Sequence, residues 1–444
     1  MKFLDSWSVP IRESLFDLPA FRTAIAGVFW GKSRVHHFLG RSYEEACDIC
    51  WLGRVSGVPL FEAYASRYLS SLVGDVKRRS SNPLRELFLK SSSAVRAKEF
   101  YAMSGNGTLD IFRDLIVIKE PSGSEKGVVV IKYTPTFDAC VAFFDLDAVQ
   151  KHYYIVLEPS WAGYCDPSLL LFLSQHHPVF VESPEPSDYR FLQSLNSNLV
   201  PLAIGSADWV DADVFSPGLQ KEKEFDVVMV ANWGRHKRHK ELFRALSTIR
   251  HRRLRVLLIG FEWGGRTKEH IVAEANRFAL KHVDLLIEEQ LSSPQVADRL
   301  RRSRVFVLLS KKEGPNKAMM EAMFCDVPAI VYDKFIGGAQ TKIMPETGML
   351  SSYEQLGSSI LHVLDHRMQY TPREWALTHT GSRWATQQLN KIIRSVVCEM
   401  GAPWTVELQE KVNNPNLSYK DSTRQSAAVT SRARLESFLC TSRA

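Results

Sequence analysis

Residues 305–333 read VFVLLSKKEGPNKAMMEAMFCDVPAIVYD, and they combine a strand, a helix and a second strand. VFVLLS and PAIVYD are short apolar runs of the kind that form strands buried on both faces of a sheet. Between them lies an apolar helix that carries Glu321, eight positions after Glu313. Because an unpartnered carboxylate is costly to bury, Glu321 either faces solvent or meets a polar group.

The same alternation of strand and helix extends on both sides of this stretch. Strands are predicted at 225–232, 255–260, 283–288, 305–310 and 328–333, with helices in the intervals. Repeated β-α units with short connections predict a doubly wound parallel sheet. In such sheets, ligands bind beyond the carboxyl ends of the strands.

The first half of the chain predicts another α/β layer. Short β-branched runs lie at 114–120, 127–133, 153–159, 178–183 and 199–205. Residues 1–110 mix helical patches with loops, which predicts helical additions before this sheet. A break rich in Gly, Ser, Asp and Pro marks the boundary near residue 205. We therefore expect domains at 1–205 and 206–385, with a C-terminal helix and flexible tail at 386–444.

The composition is that of a globular chain with a mild positive bias. The 444 residues are 45% hydrophobic and 24% charged, with a net charge of +7. This charge suits an anionic ligand or an acidic membrane surface, and it is too small for a dedicated nucleic-acid binder. No apolar run approaches the roughly 18 residues of a membrane span, and the N-terminus lacks a signal-peptide core, so a cytoplasmic location is expected.

The cysteines do not predict a metal site. Seven are scattered through the chain, and only Cys47 and Cys50 lie close together. A zinc site would need a second pair or nearby histidines, and neither follows at a usual spacing. Buried thiols in a reducing compartment are expected, with no metal or other cofactor.

The loop before the apolar helix has the residues of an anion site. Gly314 permits a tight turn and the close approach of a ligand to the backbone. Pro315 suits the first helical position, because its missing N–H costs nothing there. The amides of Asn316, Lys317 and Ala318 would then point outward at the positive end of the helix dipole, an arrangement that binds phosphate.

One carboxylate stands on either side of this anion site. Glu313 precedes it, and Glu321 lies roughly 9 Å further along the helix axis. This layout suits a long ligand with hydroxyls at both ends and phosphate in the middle, such as a nucleotide sugar. The alternative is that Glu321 is solvated and Glu313 serves only the turn.

A basic segment, ANWGRHKRHKELFRAL at 231–246, follows the first strand of the second domain. Lys237 is predicted at the strand-to-helix junction, on the same sheet edge as the apolar helix, where it could neutralise a diphosphate. The alternative is a solvated basic face made by Arg235, Lys237, Arg238 and Lys240.

Four segments within residues 200–360 resemble retaining glycosyltransferases of the GT-B fold, family 4 (group 1). They read GSADWVDADVFSP, VANWGRHKRHKELFRAL, SKKEGPNKAMMEAMFCDVPAIV and FIGGAQTKIMPETGML. The resemblance implies an α/β protein with two Rossmann-like domains facing across a cleft. It also implies that the N-terminal domain binds an acceptor and the C-terminal domain binds a nucleotide-sugar donor.

The resemblance assigns catalytic roles to two residues. Glu313 would contact the transferred sugar, and Lys237 would stabilise the leaving phosphate as charge builds in the transition state. Members of the family usually need no metal, because the lysine and the helix end supply the positive charge.

Five further residues are implied to bind the donor. Gly314, Asn316 and Lys317 would offer backbone amides to the diphosphate. Glu321 would hold the ribose hydroxyls, and Arg235 is counted as a donor-binding cation.

Four residues of the N-terminal domain have open roles. Many relatives place a histidine after a middle strand, where this chain reads YYIVLEPSWAGY at 153–164. Glu158 could stand in its place and Trp161 could shape an acceptor pocket, or both could be structural. His176 and His177 precede another strand, and paired loop histidines are more often surface residues.

The expected function is retaining transfer of a sugar from a nucleotide-diphosphate sugar to a glycan or lipid-linked acceptor, in cell-surface polysaccharide or glycoconjugate synthesis. No nucleic-acid partner is expected. A basic segment at 74–90 would give peripheral contact with the inner face of the membrane, or it is a solvated loop. Two alternatives stay open: a non-catalytic nucleotide-sugar-binding protein on a degenerate GT-B scaffold, and a nucleotide-sugar epimerase.

Overall fold

The computed structural model describes residues 18–55, 57–79, 81–101, 110–160, 167–218, 222–414 and 416–440. These residues form two compact units. The first contains the described residues up to Gly205, Leu389–Lys411 and the described residues from Asn416 onward. The second contains the described residues of Ser206–Gln388 and of Val412–Pro415.

Helices precede the first sheet, as the sequence predicts. Those in the described residues are α1 Pro19–Phe38, α2 Ser42–Val55, α3 Pro59–Arg78, α4 Pro83–Leu89 and α5 Ser92–Phe100. Asn82 explains where α4 begins, because its side-chain oxygen accepts hydrogen bonds from the amides of Leu84 and Arg85. The same side chain donates to three carbonyls of segment 170–173, which ties the helical region to the first α/β layer.

The first unit contains a five-stranded sheet with the strands in sequence order. Its elements are β1 Leu115–Lys119, β2 Gly127–Lys132, α6 Thr134–Phe143, α7 Leu146–His152, β3 Tyr153–Glu158, α8 Pro167–Leu170, β4 Val179–Glu182, α9 Pro186–Ser194 and β5 Leu199–Leu202. β1 is antiparallel to β2, and the remaining pairs are parallel. Since each crossover advances in the same direction, right-handed connections place α6–α9 on one face of the sheet.

The second unit contains a six-stranded parallel sheet in the order β11-β10-β9-β6-β7-β8. Its elements are β6 Phe225–Val230, α10 His239–Thr248, β7 Leu254–Gly260, α11 Lys268–Ala275, β8 Val283–Glu289, α12 Ser293–Arg301, β9 Ser303–Leu308, α13 Lys317–Phe324, β10 Ala329–Tyr332, β11 Gly348–Ser351, α14 Leu356–Asp365 and α15 Pro372–His379. One core packs α12, α13 and α15 against the sheet, and another packs α10, α11 and α14. The doubly wound sheet is therefore confirmed, and with it the α/β class with two Rossmann-like layers.

The segment 386–444, expected as a helix and a flexible tail, forms regular structure over much of its length. After α16 Ser382–Glu399 come the paired strands β12 Lys411–Asn414 and β13 Asn416–Tyr419, and then α17 Gln425–Glu436. Leu435 of α17 joins the core of the first unit. The amide of Asp145 donates to the carbonyl of Phe438, so the end of the described chain is fixed to the first sheet's layer.

A buried ion pair fixes this C-terminal segment to β3. The Nζ atom of Lys411 lies 2.6 Å from Oε2 of Glu158, and both side chains are 0% exposed. Burial lowers the pKa of Lys411, and the nearby carboxylates of Glu158 and Glu182 oppose that shift. Glu158 therefore has a structural partner within the first unit.

Lys411→Met should destabilise the first unit, because it leaves the Glu158 carboxylate buried without its cation. We expect the free energy of unfolding, measured by urea denaturation, to fall by about 3–5 kcal/mol. Lys391→Met removes an exposed lysine of α16 and is the matched control. If the free energy of unfolding of Lys411→Met falls by no more than that of the control, within about 0.5 kcal/mol, the ion pair does not hold this segment.

Candidate functional site

The reversal of strand order brings the loops after β6 and β9 side by side. These strands are neighbours, with Val227 opposite Val305 and Val228 opposite Phe306. Beyond their carboxyl ends lies a cavity of about 380 Å³ within the second unit. Its lining comprises Phe215, Val230, Ala231, Asn232, Lys237, Ile259, Gly260, Phe261, Gln290, Leu291, Ser293, Val296, Glu313, Pro315, Asn316, Lys317, Ala318 and Glu321. The cavity lies where doubly wound sheets bind ligands.

Lys237 is held in a short turn between β6 and α10. The side chain of Asn232 accepts a hydrogen bond from the amide of Gly234 at 3.0 Å. The amide of Lys237 donates to the carbonyl of Gly234, also at 3.0 Å, which closes a 3-10 turn over Arg235–Lys237. The lysine side chain therefore reaches the cavity from a fixed backbone position.

Glu313 is fixed by a close approach of two loops. Its amide donates to the carbonyl of Ile336 at 3.1 Å. Gly337 follows with φ +148°, and a Cβ at that position would lie 2.1 Å from the carbonyl oxygen of Glu313. Only glycine fits there, because any side chain would push the Glu313 backbone out of place.

Lys237 and Glu313 form an ion pair inside the cavity. Nζ of Lys237 contacts Oε2 of Glu313, and the two residues are 9% and 7% exposed. Asn316 Nδ2 lies 3.3 Å from the other carboxylate oxygen. A buried pair of this kind adds little net stability, because desolvation offsets much of the attraction. The two charges are thus available to a ligand that competes for them.

α13 begins at Lys317, which corrects the prediction that Pro315 is its first residue. Asn316 is the N-cap, and its side-chain oxygen accepts from the amide of Met319 at 2.9 Å. This bond satisfies the amide of Met319, which has no acceptor within a helix that begins at Lys317. Lys317 and Ala318 occupy the first turn, where amides lack acceptors within the helix, and both line the cavity.

Glu321 is buried and meets Lys317 one turn earlier on α13. It is 5% exposed, and its Oε1 lies 3.2 Å from Nζ of Lys317. Burial raises the pKa of Glu321, and the charge of Lys317 opposes that shift. Lys317 Nζ also donates to the carbonyl of Asn413 at 2.9 Å. The carboxylate is therefore neither solvated nor unpartnered.

The structure brings most of the predicted site residues together. Of the predicted site residues, those that line the cavity are Lys237, Glu313, Asn316, Lys317 and Glu321. Gly314 lies between two of them in the chain but is not part of the lining, and Arg235 is exposed on the turn before Lys237. A ligand in this cavity would not meet the Arg235 side chain in this conformation.

Asn413 is a site residue that sequence reasoning missed. It lies 96 positions after Lys317 and holds the lysine through its backbone carbonyl. Its side chain donates to the carbonyl of Ser206 at 3.2 Å, and it is 3% exposed. No local pattern marks such a residue, because only the tertiary fold brings it to α13.

The sequence left the roles of four residues of the N-terminal domain undecided, and the structure describes the surroundings of three of them. Glu158 is enclosed with Lys411, as described above. His176 is exposed, and His177 is half-buried with Nδ1 3.5 Å from Nζ of Lys126. Burial and that lysine lower the pKa of His177. Trp161 lies outside the described residues.

The described part of the chain contains neither a metal-binding cluster nor a membrane-spanning helix. None of its His, Cys, Asp and Glu residues form a group of three or more that could hold a metal ion. Within the described ranges, no helix has the length and apolar character needed to cross a membrane. Cys47 and Cys50 do not form a disulfide bond.

Glu321→Gln should stabilise the second unit at neutral pH. The folded-state pKa of Glu321 is raised, so folding becomes less favourable as pH rises from the unfolded value of 4.5 through the folded pKa. The variant escapes this cost, and each kcal/mol gained should raise Tm by about 2–4 °C. When thermal unfolding is measured from pH 4 to pH 8, the increase in Tm of Glu321→Gln over the wild type should become larger as pH rises.

The exposed Glu262→Gln variant is the control for this measurement, and any difference between its Tm and that of the wild type should not grow with pH. Lys317 keeps the Asn413 carbonyl as a partner in the Glu321 variant. A Glu321→Gln protein that is less stable than the wild type at pH 8 would contradict the interpretation.

Comparison with known proteins gives a family match over part of the chain. Residues 211–363 match the family model described as Glycosyl transferases group 1. No curated protein sequence matches the chain. Among solved structures, sucrose-phosphate synthase (tll1590) from Thermosynechococcus elongatus is 17% identical, with a TM-score of 0.49 and coverage of 71% of this chain and 79% of that one.

Two other solved structures are similar to this chain to a comparable degree. The lipopolysaccharide outer core galactosyltransferase WaaB, in its apo form, is 14% identical with a TM-score of 0.47, and the match covers 70% of this chain and 80% of WaaB. Anabaena Alr3699/HepE in complex with UDP-glucose is 12% identical with a TM-score of 0.46, covering 60% and 78%. Likeness at this level transfers no substrate to this chain.

The family match covers the elements that build the cavity. It begins before β6 and ends within α14, so it includes the loops that carry Lys237 and Glu313 and the whole of α13. The elements that build the cavity therefore lie within the part of the chain that matches this family model.

Proposed function

We propose that the protein is a retaining glycosyltransferase that uses a nucleotide-diphosphate sugar bound in the second unit. The observation that carries the proposal is a set of two Lys–Glu pairs beside the start of α13. Lys237 pairs with Glu313 before the helix, and Lys317 pairs with Glu321 within it. The family match over residues 211–363 supports the reaction class.

The diphosphate would bind at the first turn of α13. The amides of Lys317 and Ala318 and the helix dipole favour an anion there. Lys237 lines the same cavity and would add a charge-assisted hydrogen bond. When a phosphate oxygen binds Lys237, Glu313 loses its ion-pair partner. Its carboxylate can then accept hydrogen bonds from sugar hydroxyls.

Glu321 would hold the other end of the donor. It follows Lys317 by four residues, about 6 Å along the helix axis. A buried carboxylate accepts hydrogen bonds strongly, because little water competes for it. It suits the two neighbouring hydroxyls of a ribose, which would replace part of its contact with Lys317.

The proposed reaction breaks the bond between the anomeric carbon and the β-phosphate oxygen and forms a bond to an acceptor hydroxyl. Negative charge grows on the leaving phosphate, and Lys237 and the start of α13 stabilise it. Attack on the face from which the phosphate leaves would give retention. The phosphate oxygen would then take the proton of the acceptor hydroxyl.

We assign the acceptor to the first unit. The acceptor would be a glycan or lipid-linked saccharide, used in cell-surface polysaccharide or glycoconjugate synthesis at the cytoplasmic face of a membrane. The net charge of +7 suits an anionic membrane surface. Glu158 takes no part, because it is enclosed with Lys411.

Glu313→Gln and Lys237→Met should each lower the rate of transfer by about 10²–10³ or more while the fold is kept. Gln keeps the size of Glu313 but removes its charge, and Met removes the cation that stabilises the leaving group. The measurement is initial release of nucleoside diphosphate, with circular dichroism to check folding. Glu354→Gln, an exposed position of the same unit outside the cavity lining, is the control. A Glu313→Gln variant that turns over at the wild-type rate would contradict the proposed role of Glu313 in sugar transfer.

Nucleoside diphosphates should raise the Tm of the chain more than the matching monophosphates or nucleosides. The second phosphate supplies the charge that Lys237 and α13 are arranged to meet. A ligand present at 100 times its Kd stabilises by about 2.7 kcal/mol. A thermal-shift panel of uridine, guanosine, adenosine and thymidine derivatives, with their sugar conjugates, would identify the nucleotide.

Lys237→Met should lose the advantage of the diphosphate over the monophosphate in that panel. Equal stabilisation by all forms in the wild type would contradict the placement of the diphosphate. Sugar conversion with no acceptor present would indicate an epimerase instead. Binding with no turnover on any acceptor would indicate a non-catalytic binding protein.

A further inference from the structure

Exposed apolar side chains and positive charge are both concentrated in the helical region α1–α5. Of the 25 exposed large hydrophobic residues in the described chain, 12 lie between Leu18 and Phe100. Residues 18–101 contain 13 Lys and Arg against 7 Asp and Glu, a surplus of 6 in a chain of net charge +7. Less than a fifth of the chain therefore holds most of its positive surplus, and nearly half of the exposed large apolar side chains of the described residues.

Apolar residues of α1 and of the position just after it form a stripe on one face, which we name the α1 stripe. Its members are Ala24, Val28, Val35, Phe38 and Leu39. Their spacing follows the helical repeat, so they share one side of the helix over about 22 Å. Val28 is 61% exposed, Val35 56%, and Phe38 90%. Gly31 and Lys32 lie between Val28 and Val35 on this side, so the apolar residues form two groups along it. Exposed apolar residues grouped in this way mark an interaction site.

Ion pairs join α1 to α2, and the buried residues of α1 are Ala26 and Ser33. Lys32 contacts Asp48 at 3.0 Å, and Arg34 contacts Glu45 at 3.1 Å. Both carboxylates are buried between the helices, so they do not offer negative charge beside the α1 stripe. The segment 18–43 itself contains no acidic residue.

The basic segment 74–90, expected to contact the membrane, is less suited to that role. Lys77 donates to the carbonyl of Asn196 at 2.6 Å. Arg85 pairs with Asp147 at 2.8 Å. These cations are engaged within the first unit, as Lys32 and Arg34 of α1 are, but α1 also presents the α1 stripe, which is open to solvent.

We propose that α1 docks the chain on an anionic phospholipid bilayer, with the α1 stripe buried among the headgroups. An exposed apolar stripe on a helix without acidic residues, within a region of positive surplus, has the chemistry of an interfacial surface. A second copy of the chain would bring two surfaces of the same positive surplus together, whereas an anionic bilayer offers opposite charge and an apolar layer at once. The surface is independent of the donor cavity, and it would bring the first unit to a lipid-linked acceptor.

The test is co-sedimentation with vesicles of phosphatidylcholine alone or mixed with phosphatidylglycerol. The wild type should bind the mixed vesicles, and binding should weaken at high salt because the attraction is partly electrostatic. Val35→Asp/Phe38→Asp should lower the partition coefficient at least about tenfold, since it places two charges in the apolar layer. Phe38→Asp alone, at a residue that is 90% exposed, should show the same direction without a folding risk.

Met368→Asp is the matched control, because Met368 is 92% exposed but lies in the second unit. Its binding should equal that of the wild type. Absence of wild-type binding to anionic vesicles, or equal loss in Met368→Asp, would overturn the proposal. Self-association of the wild type that Phe38→Asp abolishes, with no vesicle binding, would identify a second copy as the occupant. Stabilisation by nucleoside diphosphate should be unchanged in every α1 variant, so failure here is separate from failure of the donor site.

Discussion

Lys237 and Glu313 meet because their loops begin at neighbouring strands whose connections run to opposite sides of the sheet. β6 leads into α10 and β9 leads into α13, and the two helices belong to different cores. The loops therefore part at the carboxyl edge and leave a cavity rather than a packed turn. A lysine placed early in one loop and a glutamate placed early in the other must then approach each other. The ion pair is a consequence of strand order, and the proposed donor site depends on it.

The chain contains buried Lys–Glu pairs of two kinds. Lys411 and Glu158 are fully enclosed, so no ligand can reach them and their role is to hold a segment in place. Lys237 and Glu313 are nearly as buried but line a cavity, as do Lys317 and Glu321. Each charge neutralises its partner in these pairs, and a diphosphate can replace the glutamate as the partner of the lysine. Such groups are retained at a cost in stability, which is typical of functional positions.

Periodicity predicted the second sheet well, because its strands are buried on both faces and its helices lie between them. It also predicted that Lys237, Glu313 and Glu321 share one edge, since that follows from strand direction alone. The start of α13 was predicted wrongly, because capping by Asn316 depends on a side-chain conformation rather than on the presence of Pro315. Asn413 could not be predicted, because a backbone carbonyl carries no sequence signal. The helix to Met400 was predicted, but the elements after it were missed, because that segment is largely polar and is held by a few contacts, such as those of Leu435 and Lys411.

The central claim concerns where a diphosphate binds, and a crystal structure with the most stabilising nucleoside diphosphate tests it most directly. The account predicts phosphate oxygens within hydrogen-bond distance of the Lys317 and Ala318 amides. It also predicts that Nζ of Lys237 contacts phosphate and that Glu313 is released from the ion pair. A nucleotide bound elsewhere, with the start of α13 unoccupied and the Lys237–Glu313 pair unchanged, would contradict it.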